Sequence, residues 1–330
     1  MVRVAINGFG RIGRTVFRIM QQCPDIEVVA INDLTDTKTL AHLLKYDTVH
    51  GRFAGQITHD ENALYIDGKE LVVLAERNPS QLPWAFHNID VVIESTGFFT
   101  KREGAQKHLD AGAKKVLISG PSPDCDLVIV KGINEHQYDR NVHHIVSNAS
   151  CTTNCLAPVV KVLHDNFRIK RGYMTTVHSY TGDQRLVDAP HKDLRRARSA
   201  ACNIVPTTTG AAKAVTQVIP ELAGKLDGIA IRVPTADGSV IDFVCELEAP
   251  VTKEIINDLF RNVAAHQLQG VLEYTEDPLV SSDVIGNPHS SVFDAQMTHV
   301  MDDGRFIKVV SWYDNEWGYS NRMVDLVRLL

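Results

Sequence analysis

The sequence predicts an α/β protein of two domains, the first a doubly wound parallel sheet and the second an α+β domain with a mainly antiparallel sheet. Three observations lead to this fold class. A glycine-rich turn joins the first strand to the first helix, and strand-like and helical runs then alternate as in β-α-β units. From residue 151 onwards, longer strand-like runs replace this alternation. We therefore expect a domain of residues 1–150 and a second one that begins at residue 151.

The first strand and helix carry a dinucleotide-binding fingerprint. Apolar residues alternate over residues 2–6, and the run Gly8–Gly13, with sequence G-F-G-R-I-G, follows before a helical pattern begins. In this motif Gly8 makes the tight turn, Gly10 lets a pyrophosphate approach the helix N-terminus, and Gly13 allows close packing of helix on strand. The order of strand, turn and helix favours a Rossmann-type domain over a purely structural glycine turn.

An acidic residue at the end of the second strand predicts which dinucleotide is bound. The strand-like run Ile26–Asn32 ends at Asp33, about 20 residues after Gly13, where the fingerprint places an acid on the ribose 2′-hydroxyl. A carboxylate there would repel the 2′-phosphate of NADP. The sequence therefore predicts NAD as the cofactor.

The other elements of the first domain follow the same rhythm. Strands are predicted over Asp90–Ser95 and Lys115–Ser119, with a helix near residues 101–112 between them. Alternation over residues 55–74 predicts a hairpin that turns at Asp67-Gly68.

The second domain shows strands, helices and one long loop. The predicted strands are Met174–Thr181, Gly228–Pro234 and Ser239–Glu248, the helices lie near residues 210–219 and 252–268, and the loop covers about residues 180–203. A loop of that length is more often functional than a simple connection.

Composition excludes several classes of protein. The 330 residues are 44% hydrophobic and 22% charged with a net charge of −6, which suits a soluble two-domain protein and offers no basic surface for nucleic acid. No apolar run reaches the roughly 18 residues of a membrane span, and the chain begins in a strand without a leader segment. We expect a cytoplasmic protein that binds neither membrane nor nucleic acid.

The cysteines lack the spacing of a disulfide framework or a metal site. They stand at positions 23, 125, 151, 155, 202 and 245. None forms a C-x-x-C pair, so we interpret them as reduced thiols. Cys151 and Cys155 would share a helix face, but no His or Cys at ligand spacing accompanies them, and we expect no metal.

Cys151 is the candidate nucleophile. It lies in Ser147–Cys155, a run of small hydroxyl and amide residues, directly before the apolar helical pattern of residues 156–163. The unpaired N–H groups of a helix N-terminus favour the thiolate and would lower the pKa of such a thiol. The alternative is a buried structural cysteine.

A histidine and several cationic or hydroxyl residues follow in the second domain. His178 ends a strand-like run, and its side chain suits proton transfer at neutral pH. Arg232 ends another apolar strand, where its donor fork suits a phosphate or carboxylate. The run Thr207–Gly210 precedes a helical pattern and predicts a second anion site. For most other histidines a structural role is the simpler interpretation.

Together these motifs resemble phosphorylating glyceraldehyde-3-phosphate dehydrogenase over essentially the whole chain. The matching segments are Ser150–Cys155, the His178 strand, Thr207–Lys213, Arg232–Thr235 and Trp312–Glu316. The resemblance implies a homotetramer with an NAD-binding domain of residues 1–150, a catalytic domain of residues 151–316 and a final helix, about 317–330, that returns to the first domain.

The resemblance also implies a reaction. Cys151 would add to the aldehyde of glyceraldehyde 3-phosphate, and His178 would accept the hydroxyl proton while hydride leaves for NAD. Inorganic phosphate would then attack the resulting thioester and release 1,3-bisphosphoglycerate.

The binding residues come from the same resemblance. Thr181 and Arg232 would hold the 3-phosphate of the substrate. The attacking phosphate would be held by Ser150, Thr152, Arg196, Thr209 and Gly210. The cofactor would contact Gly8, Gly10, Arg11, Ile12, Gly13, Asp33, Arg77, Ser119, Asn315 and Tyr319.

Two departures and three rival classes bear on this interpretation. Gly182 stands where many relatives have asparagine, and Ala189 stands where strictly NAD-specific bacterial forms often have leucine, which leaves some use of NADP open. The nearest rival is erythrose-4-phosphate dehydrogenase, which departs from this chain at Thr207–Gly210 and at Tyr180-Thr181. A cysteine acyltransferase or hydrolase is disfavoured by the glycine fingerprint and Asp33. A dinucleotide-binding regulatory module without catalysis is disfavoured by the presence of Cys151 and His178.

Overall fold

The computed structural model describes residues 1–301 and 303–330. The chain divides into two compact units. The first unit comprises Met1–Ile129, His136–Ala149 and Ser320–Leu330, and the second comprises Val130–Glu135 and Ser150–Tyr319.

The first unit is built from strands β1–β11 and helices α1–α3. The strands are β1 (Val2–Asn7), β2 (Ile26–Asn32), β3 (Tyr46–Asp47), β4 (Gly51–Arg52), β5 (Ile57–His59), β6 (Ala63–Ile66), β7 (Lys69–Leu74), β8 (Val91–Glu94), β9 (Lys115–Ile118), β10 (Leu127–Val128) and β11 (Ile145–Ser147). The helices are α1 (Arg11–Met20), α2 (Thr37–Lys45) and α3 (Arg102–Asp110).

The main sheet of this unit confirms the predicted doubly wound fold. Its strand order is β10-β11-β9-β8-β1-β2-β7-β6-β5, and pairing is parallel from β10 through β7. β5, β6 and β7 pair antiparallel, and the predicted hairpin turns at Asp67 and Gly68, both with positive φ. Buried apolar side chains of the sheet, such as Ala5 of β1 and Val92 of β8, share one core cluster with Trp84.

Gly8 and Gly13 are required where β1 passes into α1. Gly8 has φ +93°, and a Cβ there would lie 2.7 Å from the amide nitrogen of Thr96. A Cβ on Gly13 would lie 2.2 Å from the carbonyl oxygen of Gly8, so the helix can approach the turn only with glycine at this position.

Gly13→Ala is expected to destabilise the first unit. Because the added methyl would meet backbone atoms that cannot rotate away, we expect the free energy of unfolding to fall by about 1–3 kcal/mol. Gly10→Ala is the matched control, since a Cβ at Gly10 meets nothing within 4 Å. Urea unfolding followed by circular dichroism measures both variants, and equal stability would contradict this packing argument.

The second unit contains the remaining helices and strands. The helices are α4 (Cys151–Phe167), α5 (Ala211–Val218) and α6 (Lys253–Ala265), and α7 (Trp317–Leu329) begins in this unit and ends in the first. The strands are β12 (Ile169–Ser179), β13 (Val205–Thr208), β14 (Leu226–Val233), β15 (Ser239–Leu247), β16 (Leu272–Thr275), β17 (Ser291–Met301) and β18 (Phe306–Tyr313).

The sheet of the second unit is mainly antiparallel, as predicted. Its strand order is β13-β14-β12-β15-β18-β17-β16. The pairs β12–β14 and β16–β17 are parallel and the other neighbours are antiparallel. In the β12–β14 pair His178 lies opposite Arg232. Two side chains named separately from the sequence are therefore neighbours on adjacent strands.

Candidate active site

The helix start at Cys151 is fixed by its neighbours. Ser150 is the N-cap of α4, and its Oγ accepts a hydrogen bond of 3.0 Å from the amide nitrogen of Thr153. Cys151 is the first helical residue and is half-buried. The predicted placement of the thiol at a helix N-terminus is confirmed.

The thiol faces a buried histidine. Sγ of Cys151 lies 3.4 Å from Nε2 of His178, although 27 residues separate them in the sequence. His178 is 3% exposed, and Nη1 of Arg232 lies 2.9 Å from its Nδ1. The structure thus brings together a thiol, an imidazole and a guanidinium from α4, β12 and β14.

Burial dominates the electrostatics of this pair. Burial, together with the charge of Arg232, lowers the pKa of His178 to about 3, so the imidazole is neutral at pH 7 and can act as a base. Burial also raises the pKa of Cys151 to about 11, while Arg232 and hydrogen bonds from Thr152 oppose the rise. The lowered thiol pKa predicted from the helix N-terminus is therefore wrong, because burial outweighs the effect of the helix. The thiol therefore holds its proton at neutral pH, and a thiolate forms there only when a base takes up that proton.

Tyr313 is a residue to which the sequence assigned no role. Its buried hydroxyl lies 2.9 Å from Oγ1 of Thr152 and 2.9 Å from Oγ1 of Thr176. Its ring meets His178 edge-on, with centroids 5.9 Å apart. Tyr313 therefore ties the first turn of α4 to β12 and holds the imidazole in place. The motif Trp312–Glu316 was the available signal, but no spacing within it indicated this function.

The guanidinium of Arg196 contacts three polar groups of the second unit. Its Nε lies 2.9 Å from Oγ1 of Thr207, and Nη2 donates to the carbonyl oxygen of Thr208 at 3.2 Å. Nη1 forms an ion pair with Asp183. The charge of Arg196 also contributes to the lowered pKa of His178.

The other predicted phosphate ligands lie on loops and helix starts of the second unit. Oγ1 of Thr209 accepts a hydrogen bond from the amide nitrogen of Ala211 at 3.2 Å, and Gly210 is the N-cap of α5. Thr181 is half-buried in the segment after β12. Within residues 1–301 and 303–330, the buried Nε of Arg232 has no hydrogen-bond partner, so this guanidinium retains a donor for an anion.

A cavity of about 460 Å³ lies at the carboxyl ends of β1 and β2 in the first unit. Four predicted cofactor residues are among those that line it: Gly8, Gly10, Asp33 and Arg77. The carboxylate of Asp33 accepts hydrogen bonds from the amide nitrogens of Phe9 at 2.8 Å and Thr35 at 3.0 Å. These contacts fix the carboxylate at the rim of the cavity.

The remaining predicted cofactor residues do not line this cavity. Arg11 pairs with Asp47 at 2.9 Å, Ile12 follows it in α1, and Gly13 packs against the turn. Ser119 follows β9. In the second unit, Oδ1 of Asn315 accepts a hydrogen bond from Oγ of Ser239 at 2.6 Å, and Tyr319 is 5% exposed.

Comparison with known families decides what kind of protein this is. Residues 2–102 match the family model described as glyceraldehyde 3-phosphate dehydrogenase, NAD binding domain, and residues 150–315 match the C-terminal domain of the same enzyme. The chain belongs to the glyceraldehyde 3-phosphate dehydrogenase family. The resemblance drawn from its motifs is thereby confirmed.

Individual glyceraldehyde-3-phosphate dehydrogenases align along nearly the full chain. The enzyme of Geobacillus stearothermophilus is 61% identical over 325 residues, which are 98% of this chain and 97% of the relative. Glyceraldehyde-3-phosphate dehydrogenase 2 of Streptomyces avermitilis is 58% identical over 326 residues, 98% of this chain and 97% of the relative. Glyceraldehyde-3-phosphate dehydrogenase 2 of Trichormus variabilis is 56% identical over 333 residues, which are 100% of this chain and 98% of the relative.

The residues of the first unit fit the dinucleotide of this dehydrogenase family. Gly8 leaves the space that a Cβ would fill, and the first turn of α1 contains no acidic residue that would repel a pyrophosphate. Each oxygen of Asp33 accepts one backbone N–H and keeps a lone pair for a ribose hydroxyl. The position of Asp33 in the sequence, the cavity that it lines and the family match thus all support NAD as the cofactor.

Proposed function

We propose that this chain oxidises glyceraldehyde 3-phosphate to 1,3-bisphosphoglycerate with NAD and inorganic phosphate. The contact of 3.4 Å between Sγ of Cys151 and Nε2 of His178 carries this proposal. A thiol beside a neutral imidazole supplies the nucleophile and base that covalent aldehyde oxidation requires. The aligned relatives, named glyceraldehyde-3-phosphate dehydrogenases, support the choice of substrate.

Two sets of residues would bind the two anions. Arg232 and Thr181 hold the 3-phosphate of the substrate, and the unpaired Nε of Arg232 supports this role. The attacking phosphate is held by Ser150, Thr152, Arg196, Thr209 and Gly210. Since Arg196 is paired with Asp183 in the free chain, phosphate must compete with that carboxylate.

The chain then carries out covalent catalysis. As the Cys151 sulfur adds to the aldehyde carbon, its proton passes through Nε2 of His178 to the aldehyde oxygen, which forms a thiohemiacetal with a hydroxyl group and leaves the imidazole neutral again. His178 Nε2 accepts the hydroxyl proton as the C–H bond breaks. When bound, NAD supplies the hydride acceptor of this step. Phosphate oxygen attacks the thioester carbon, the C–S bond breaks, and the sulfur leaves as thiolate.

The two units divide this work. Residues 1–150, with the helix of about residues 317–330, bind the cofactor, and residues 151–316 carry the chemistry. The residues that would hold NAD are Gly8, Gly10, Arg11, Ile12, Gly13, Asp33, Arg77, Ser119, Asn315 and Tyr319.

Absorbance at the reduced nicotinamide band tests the activity. The purified chain is assayed with glyceraldehyde 3-phosphate and NAD, with and without inorganic phosphate, and with erythrose 4-phosphate as comparison substrate. We expect turnover that requires phosphate and a much lower kcat/KM for erythrose 4-phosphate. Phosphate-independent turnover, or preference for the four-carbon substrate, would contradict the proposal.

Asp33→Ala is expected to change cofactor preference. The variant removes repulsion of the 2′-phosphate of NADP and an acceptor for the ribose of NAD, so kcat/KM should rise with NADP and fall with NAD. A charge-assisted hydrogen bond contributes about 1.5–3 kcal/mol, so the loss with NAD should be about 10 to 150-fold.

Asp33→Asn removes the negative charge at this position and keeps an oxygen that accepts a backbone hydrogen bond. In the wild type the carboxylate of Asp33 accepts a hydrogen bond of 2.8 Å from the backbone N–H of Phe9. The amide oxygen of asparagine can accept the same hydrogen bond, so this contact to the turn is retained. We expect improved use of NADP in both variants, measured as kcat/KM with each cofactor. If either keeps the wild-type preference, Asp33 is not the discriminating residue.

We also propose that the chain forms a homotetramer in the cytoplasm. Large apolar side chains are exposed on the segment after β12, with Leu186 75%, Leu194 80% and Ile204 69% exposed, and self-association would cover them. In the described part of the chain, each helix is too short or too polar to cross a bilayer. Light scattering coupled to gel filtration tests the tetramer, and a monomer at assay concentration would contradict it.

A further inference from the structure

Three polar side chains form a row across the carboxyl edge of the main sheet of the first unit. Asn7 ends β1, Glu94 ends β8 and Asn32 ends β2. Asn7 lies in register with both of the others. Its Nδ2 donates to Oε2 of Glu94 at 2.6 Å, and its Oδ1 accepts from Nδ2 of Asn32 at 2.7 Å. These three buried side chains, the polar row, therefore form one continuous chain of hydrogen bonds.

Both ends of the polar row are fixed by groups whose donors and acceptors cannot exchange. At one end, the side-chain amide of Asn32 accepts from the backbone N–H of Glu76 at 2.8 Å and donates to its carbonyl oxygen at 2.9 Å. At the other end, the indole N–H of Trp84 donates to Nδ1 of His108 at 3.0 Å. The imidazole therefore carries its proton on Nε2, which lies 3.1 Å from Oε2 of Glu94. Hydrogen bonds thus point towards Glu94 from both sides.

The carboxylate of Glu94 meets donors at both of its oxygens. Its Oε2 accepts from Asn7 and His108, and its Oε1 accepts from the hydroxyl and, at 2.9 Å, the backbone N–H of Thr96. A carboxylate has about four lone-pair positions and no donor, which matches these four donors. Burying a charged group is unfavourable unless it is hydrogen-bonded in this way. The position therefore requires an acceptor at both oxygens.

The polar row connects these buried groups to the wall of the predicted cofactor cavity. Two of its members and two residues bonded to it line the cavity of about 460 Å³: Asn7, Asn32, Glu76 and Thr96. Glu94 is 1% exposed and His108 is 0% exposed, so both act through these lining residues. A wall that is already ordered lowers the entropic cost of binding.

We infer that Glu94 and His108 are positioning residues of the cofactor site, because they fix the orientation of the groups that meet the dinucleotide. This inference rests on the proposed function, in which the cavity beside Asp33 holds NAD.

Glu94→Gln tests the requirement for an acceptor at both oxygens. Glutamine has nearly the same shape, and its amide can be placed in two ways. If the NH₂ group faces Asn7 and His108, both donors lose their acceptor, and if it faces Thr96, the backbone N–H of Thr96 loses its own. Either placement disturbs a residue that lines the cavity. We expect the Kd for NAD to rise by about 2 to 13-fold, the factor that corresponds to one net hydrogen bond.

Calorimetric titration with NAD measures this change in the purified protein. In the steady-state assay the KM for NAD should rise by the same factor with kcat unchanged, since Cys151 and His178 belong to the second unit. Glu103→Gln is the matched control, because it makes the same substitution at an exposed position of α3, and both constants should stay at their wild-type values. If Glu94→Gln is less stable to urea but binds NAD as tightly as the wild type, Glu94 is only structural and the inference is overturned.

Two variants of His108 test the other end, and they keep the inference testable if Glu94→Gln does not fold. His108→Leu removes the donor to Oε2 of Glu94. His108→Gln keeps an N–H for Glu94 and an oxygen that can accept from the indole of Trp84. We expect weaker binding of NAD in His108→Leu and an affinity near that of the wild type in His108→Gln. Equal affinities of the two variants would overturn the inference.

The tautomer of His108 is measured in the free protein. The chain is labelled with ¹⁵N-histidine, and the ring signals of His108 are identified by their loss in His108→Gln. We expect a protonated Nε2, and a proton on Nδ1 would overturn the inference, because the donors would then not point towards Glu94. The failures are distinguishable. A wild type that does not bind NAD would refute the proposed cofactor, whereas equal affinity for NAD in the wild type and Glu94→Gln would refute only the positioning role.

Discussion

Cys151→Ser is expected to reduce NADH formation from glyceraldehyde 3-phosphate to below about a hundredth of the wild-type rate. A serine hydroxyl is far less acidic than the thiol and a weaker nucleophile, so the covalent step should lose several kcal/mol at about 1.4 kcal/mol per tenfold. The substitution is nearly isosteric, and Ser150 still caps α4, so NAD binding should persist. Stopped-flow absorbance measures the rate, and calorimetric titration measures cofactor binding.

Cys155→Ser is the matched control for this experiment. Cys155 lies one turn further along α4 and is fully buried, with Sγ 3.4 Å from Oγ of Ser291. Burial raises its pKa to about 12, so it remains a neutral, inaccessible thiol. We expect this variant to retain a rate within about threefold of the wild type, because a buried structural thiol takes no part in the chemistry. A Cys151→Ser variant that keeps more than about a hundredth of the rate would refute the assignment of the nucleophile.

Most of the first unit was predictable because local patterns determine it, although α2, β3, β4, β10 and β11 were not predicted. The G-x-G-x-x-G turn, the acid after β2 and the alternation of strands and helices each depend on nearby residues. Four strands of the second unit, β13, β16, β17 and β18, were not predicted. The register of β17 against β18 shifts between Asp294 and His299, which interrupts the period-two pattern that would identify a strand from sequence. Residues 295–298 lie within this interruption.

The sequence was enough to select the residues of the site, but it did not show which of them are in contact. Cys151 was found from its position before a helical pattern, and His178 and Arg232 from the ends of their strands. Their contact depends on the parallel pairing of β12 with β14, which the sequence does not reveal because the two residues are 54 positions apart. Burial also depends on the assembled fold, which is why the direction of the pKa shift at Cys151 was predicted wrongly.

His178→Asn is expected to lower the rate of hydride transfer by about 10² to 10⁴-fold, the usual contribution of a general base. An asparagine amide can still donate to the carbonyl oxygen of Ser179, which lies 2.7 Å from Nδ1, but it has no atom at the position of Nε2. The variant therefore removes the base and keeps the contact behind it. His164→Asn is the control, since His164 is also buried and its Nδ1 accepts the N–H of Ile169 at 3.1 Å. We expect its rate to stay near that of the wild type.

The pH dependence of this effect tests the state of the imidazole. Burial and Arg232 hold the pKa of His178 at about 3, so the base is already neutral at pH 6 and stays neutral at pH 8. The ratio of wild-type to His178→Asn rates should therefore be similar at both values. An imidazole with the ordinary pKa near 6.5 would be largely protonated at pH 6, and the ratio of the two rates would be smaller at that pH.

Alkylation of Cys151 by iodoacetamide should also be slower in His178→Asn than in the wild type, because the thiol loses its proton acceptor. An unchanged alkylation rate would argue against the pairing of Cys151 with His178.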